Sequence, residues 1–149
     1  MAIVPRQKPA EDGAPYALDE QIGFILRKVS QRHTAIFAAA FGSDLTPPQW
    51  AALAKLYESG PTSQNQLGRL VALDAATIKG VVDRLGARGL TITSPDPDDA
   101  RRVLVTLTEA GRKEAERGFP IAAAVTEETL APLDSAQRAQ LVSLLKALG

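Results

Sequence analysis

Between Leu90 and Thr108 the chain changes its hydrophobic period, and that change restricts the fold more than any other feature. Upstream, Leu67, Leu70, Leu73, Ile78, Val81, Val82 and Leu85 recur at helical spacing in two short segments. Ser63 with Gln66 forms a capping box that opens the first, which ends at Val71. Asp74 caps the second, which runs through Arg88 until Gly89 stops it. Thr91-Ile92-Thr93-Ser94 is then rich in β-branched residues and too short for a helix. Pro95-Asp96-Pro97-Asp98-Asp99 forbids both a helix and ladder pairing, so the chain must turn. Val103, Val105 and Leu107 alternate along the returning strand, and Thr108 caps a new helix whose first turn carries Glu109. The order is helix, turn, helix, hairpin, helix.

The flanks are helical too. Leu18, Ile22, Leu26, Val29, His33, Phe37 and Ala40 form one stripe, predicting a first helix from about Leu18 to Phe41. It is longer than the usual ~11–12 residues, so it reads as half of a dimer interface. Thr46-Pro47-Pro48-Gln49 is a capping box with proline in the first turn, opening a helix that carries Trp50, Leu53 and Tyr57 and ends at Gly60-Pro61. Asp134 caps a last helix with Leu141, Leu144, Leu145 and Leu148 on one face.

Composition narrows the chemistry. A chain of 149 residues suits one domain, and 5% aromatic content implies aliphatic, alanine-rich packing. With no cysteine, disulfides, thiolate metal sites and cysteine redox sensing are excluded. One histidine, His33, leaves histidine-based zinc binding and Ser/His catalysis without enough groups. An enzyme is therefore not expected, and no cofactor is called for. No apolar run approaches the ~18 residues of a membrane span. Residues 1–17 carry Pro5, Pro9 and Pro15 without an apolar core, and read as a flexible arm of a cytoplasmic protein. Lys plus Arg and Asp plus Glu both total 17, so average charge neither supports nor opposes binding to a polyanion.

The chain resembles the MarR family of dimeric transcription regulators from about Leu18 to the C-terminus. Leu45-Thr46-Pro47-Pro48-Gln49-Trp50, Asp83-Arg84-Leu85 with Gly89-Leu90, and Asp99-x-Arg101 with Leu107-Thr108-x-x-Gly111 carry the likeness. It implies a mainly α, winged helix-turn-helix subunit in the order α-α-α-α-β-β-α-α. The winged lobe would span about residues 45–108, and the dimerisation helices about 18–42 and 109–149. It also implies that two lobes grip near-palindromic double-stranded DNA as a homodimer, most simply as a repressor. A winged-helix protein–protein module without DNA binding is the alternative.

On that resemblance, Ala75, Ala76, Thr77 and Lys79 face base edges and phosphates in the major groove. Ser63 and Gln64 offer polar groups to phosphate. Arg101 enters the minor groove, oriented by Asp99. Each has a plainer reading: Arg101 as a solvated turn charge, Lys79 as an exposed helix lysine. Arg84 is placed equally well in an ion pair or against phosphate. The sequence departs from the family pattern at Ala72, where glycine is common, and at Gly80, where many members carry a larger polar or basic residue. Gly80 either permits closer approach to DNA or makes room for a neighbouring helix. Family members commonly bind small aromatic anions. Phe24, Arg27, Arg32, His33, Phe37 and Trp50 are the candidate lining of an effector site for an aromatic carboxylate or its CoA thioester. Core packing, or a solvated basic helix face, would explain the same residues.

Overall fold

The computed structural model describes residues 15–149. A single 3-10 turn, Leu18–Glu20, precedes helix α1, Ile22–Phe41. The stripe predicted one unbroken helix from Leu18, but Gln21 is extended (φ −86°, ψ 130°). Its side chain donates to the Ala17 carbonyl at 3.0 Å, a local bond that closes the turn separately from α1. Residues 1–14 of the expected arm lie outside the described residues.

Helix α2 spans Pro47–Ser59, and both halves of its capping box are present. Gly60, at φ +72°, ends it by donating its N–H to the Leu56 carbonyl. The two-residue strand β1, Thr62–Ser63, follows and was not anticipated. Helices α3 (Gln64–Leu70) and α4 (Ala75–Ala87) form the helix-turn-helix. Strands β2 (Thr91–Pro95) and β3 (Val103–Leu107) form the hairpin. The ladder reaches Pro95 opposite Val103, one residue into the segment expected to forbid pairing, because the last residue of a strand can go without an N–H. The antiparallel sheet runs β1-β3-β2, with Ser63 opposite Leu104 and Thr93 opposite Val105. A strand of two residues has no periodicity, so only its partner reveals it.

Helices α5 (Glu109–Leu130) and α6 (Ser135–Leu148) complete the chain. Among the described residues the fold is thus six α-helices with a small three-stranded sheet, a winged helix-turn-helix. Its core joins Leu53 of α2, Leu67 of α3, Ile78, Val82 and Leu85 of α4, and Val105 of β3, all fully buried. Ile36, Phe37 and Phe41 of α1 and Val125 of α5 extend that core into the helical region.

The wing root is fixed by close approach. A Cβ on Gly111 would lie 1.9 Å from the Leu90 carbonyl oxygen, so only glycine lets α5 start there. Thr108 caps α5 through Gly111 N–H and donates its hydroxyl to the Gly89 carbonyl at 2.6 Å. The Leu-Thr-x-x-Gly spacing is therefore a weld between α4, the hairpin and α5.

Candidate nucleic-acid interface and effector cleft

Helix α4 buries Ile78, Val81, Val82 and Leu85 and turns Ala75, Ala76, Thr77 and Lys79 outward. Asp74 caps its start, accepting from the Thr77 N–H at 2.7 Å, and that bond holds the Asp74 carboxyl below its ordinary pKa. Lys79 is paired with Asp83 at 2.8 Å, an exposed pair that a stronger partner can displace at little cost. Ser63 caps α3 through Gln66 N–H at 3.3 Å. The expected reciprocal half of that box does not form: Gln66 accepts from Arg69 instead, at 2.6 and 3.1 Å.

At the wing tip, Asp99 accepts from the Arg101 backbone at 3.1 Å and from its guanidinium at 3.0 and 3.2 Å. Arg102 lies 3.6 Å from the other Asp99 oxygen. These donors, the Arg101 side chain foremost, hold the Asp99 carboxyl below the usual carboxylate range. The Arg101 side chain is 90% exposed while Asp99 is 24%, so the carboxylate is a seat and the guanidinium projects.

Between the wing and the start of α3 runs a groove of about 570 Å³, lined by Ser63, Gln64, Asn65, Arg69, Arg101 and Arg102, among others. Pairing of β1 with β3 draws its two walls together. The neutral chain thus concentrates three arginines in one groove, the local pattern that phosphate contact requires. Arg69 and Arg102 were not among the predicted residues; adjacency to Arg101 was the available signal for Arg102. Among the described residues no neighbouring helix comes within 4 Å of where a Cβ on Gly80 would lie, so packing within the subunit does not call for glycine there.

The proposed effector residues divide. His33, Phe37 and Trp50 line one cleft of about 250 Å³, together with Pro47 and, from α5, Ala122, Val125 and Thr126. Aromatic rings back it in a chain: Phe37 to Phe41 at 4.4 Å, Phe41 to Trp50 at 5.2 Å, Trp50 to Phe119 at 5.3 Å. His33 Nδ1 lies 2.8 Å from Thr129 Oγ1, which fixes the ring. Arg32 is outside this lining; its guanidinium donates to the Thr129 and Glu128 carbonyls at 2.8 and 2.9 Å, closing the end of α5. Arg27 and Phe24 are also outside it. They lie about 9 and 13.5 Å before His33 along the helix axis, and the Phe24 ring is covered by Lys28 at 5.7 Å. The α5 residues of the cleft are some ninety positions from His33 and carry no sequence signal that would pair them.

Two helices packed under a sheet-rooted wing, with an arginine seated at its tip, define a winged helix-turn-helix transcription regulator. The MarR family matches residues 45–103. The transcriptional repressor NicR of Pseudomonas putida is 42% identical over 138 residues, covering 92% of this chain and 87% of NicR. The chain belongs to the MarR family of transcriptional regulators. A probable transcriptional regulator from Pseudomonas aeruginosa shares the fold at TM-score 0.87 and 56% identity, over 89% of this chain and all of that one. Bordetella bronchiseptica BpsR, whose DNA binding is regulated by 6-hydroxynicotinic acid, superposes at TM-score 0.88 with 41% identity, over 91% and 97% of the two chains.

Proposed function

We propose that this chain is a homodimeric repressor that holds a near-palindromic operator and releases it on binding a small aromatic carboxylate. In this reading the lobe of residues 45–108 grips DNA, with Ala75, Ala76, Thr77 and Lys79 in the major groove. Ser63 and Gln64 bind phosphate, and Arg101, held by Asp99, enters the minor groove. Recognition helices of the two subunits occupy successive major grooves about 10 bp apart. The observation that carries the reading is the groove between α3 and the wing, where Arg69, Arg101 and Arg102 gather and Asp99 seats the Arg101 guanidinium.

The cleft supports a ligand of one aromatic ring. Its volume, about 250 Å³, falls below the 300–1,000 Å³ of typical drug-sized pockets, which favours a free acid over a thioester. The resemblance to BpsR makes 6-hydroxynicotinic acid the first compound to test. Because the cleft is walled by α1, α2 and α5, a ligand there would change the angle between the lobe and the dimerisation helices. Release follows only if the ligand binds the DNA-free shape more tightly.

The test is an anisotropy titration of labelled DNA from upstream of the protein's own coding sequence. Binding is expected to be steeply salt-dependent, lost with Arg101→Ala, and reversed by 6-hydroxynicotinic acid in wild type but not in His33→Ala. No binding at low salt would leave the protein–protein module as the surviving reading.

A further inference from the structure

We infer that Arg84, seated over Gly80, supplies the guanidinium that α4 presents to a guanine edge in the major groove. The inference rests on the DNA-binding reading above and concerns which side chain does the reading. On α4, Ala76, Gly80 and Asp83 lie opposite the buried row of Ile78, Val82 and Leu85, at the middle of the outward face. That middle carries little that can donate a hydrogen bond: an alanine, a glycine and a carboxylate.

Among the described residues, a Cβ at Gly80 would meet one side chain. Arg84 Nη1 would lie 3.4 Å away, Cζ 3.9 Å and Nη2 4.0 Å. The guanidinium therefore folds back one helical turn and lies over the bare backbone at position 80, in van der Waals reach of where a Cβ would sit, so that a side chain longer than alanine would compete for the same space. It is not held there by charge. Asp83, the adjacent carboxylate, is taken by Lys79 at 2.8 Å. Among the described residues Arg84 makes no ion pair and no side-chain hydrogen bond. Arg88, the next cation along the helix, is engaged with the Asp44 carbonyl.

An exposed, unpaired guanidinium at the centre of a groove-facing helix suits the paired O6 and N7 acceptors of guanine, which accept its two parallel N–H groups. Glycine at 80 then has a purpose beyond closer approach. It clears the seat from which a longer side chain, one turn on, reaches the base edge.

The experiment is selection of duplexes from a random-sequence library by the full-length protein, with wild type, Arg84→Ala, Arg84→Lys and Gly80→Leu in parallel. Wild type is expected to enrich a symmetric pair of guanines. Arg84→Ala should lose that preference and bind the wild-type-selected duplex about tenfold to a hundredfold more weakly, with scrambled duplex much less affected. Arg84→Lys should keep affinity for scrambled duplex yet not restore the guanine, since an ammonium lacks the planar fork. Gly80→Leu, which occupies the seat while leaving Arg84 in place, should lose the same guanine. Melting temperature of Arg84→Ala should match wild type, because the side chain is exposed and unpaired. If Arg84→Ala selects the same bases, or weakens all duplexes equally with a smaller salt slope, base reading by Arg84 is overturned. If wild type enriches no sequence, the DNA-binding reading falls with it.

Discussion

At single residues, the backbone shows what the side-chain pattern could not. Ala72, in the turn between α3 and α4, has φ +57°, the left-handed region that suits glycine. It is exposed, so replacing it loses no packing. Ala72→Gly is expected to stabilise the protein by about 1 kcal/mol, the left-handed strain of alanine less the extra freedom of glycine when unfolded. A urea midpoint that falls instead would show that the turn is not strained. Gly118 is the opposite case. A Cβ there would sit 2.1 Å from Trp50 Cζ3, and the indole is wedged between Phe41 and Phe119. Gly118→Ala should destabilise by about 1–3 kcal/mol through overpacking. It should also shift the emission of Trp50, the chain's one tryptophan. Unchanged emission would mean that the ring has room to move. The sequence marked Ala72 as a departure but offered nothing at Gly118, because the pairing of α2 with α5 is a tertiary fact.

At the scale of elements, the helices and the hairpin were legible because their signals are local. Caps at Thr46, Asp74, Thr108 and Asp134 act within three residues, and each forms as read. Hidden from the sequence were contacts between elements: β1 against β3, Arg69 and Arg102 in the groove, and the α5 wall of the cleft beside His33. Pro120 lies inside α5, and the helix continues through it with one N–H fewer. The wing carries a prediction with a definite sign. Asp99→Asn removes negative charge from the tip, so binding to scrambled duplex at low salt should rise. Arg101 loses its seat at the same time, so discrimination between duplexes of different minor-groove width should flatten. Because the folded Asp99 pKa is depressed, its contact with Arg101 is complete above about pH 4 and is lost only as pH falls through the lower folded value. Wing-dependent discrimination should therefore be flat from pH 6 to 8 in wild type. A titration within that range would assign the effect to another group.

For the whole molecule, the remaining apolar surface decides the assembly. Helix α6 buries none of its residues, and Leu144, Leu145 and Leu148 are 58%, 44% and 73% exposed. Leu18, Ile22, Leu26 and Val29, on α1 and the turn before it, are exposed as well. A helix of 14 residues with no buried face is marginal alone in water. A soluble monomer rarely leaves large apolar patches uncovered, and two helices here each carry an exposed apolar stripe. Covering both stripes with a second copy of the chain removes both difficulties and fits the reading of the first helix as half of an interface. Leu145→Glu with Leu148→Glu should then shift the protein from dimer to monomer in sedimentation and lower the helical circular dichroism as α6 frays. Its melting temperature should also fall, and that of wild type should rise with concentration. DNA affinity should drop by about 10²- to 10⁴-fold, since each lobe would bind its half-site without the other. A double variant that still sediments as a dimer would place the interface elsewhere. A monomeric variant that keeps full affinity would separate dimerisation from operator recognition, and one lobe would then suffice to hold the DNA.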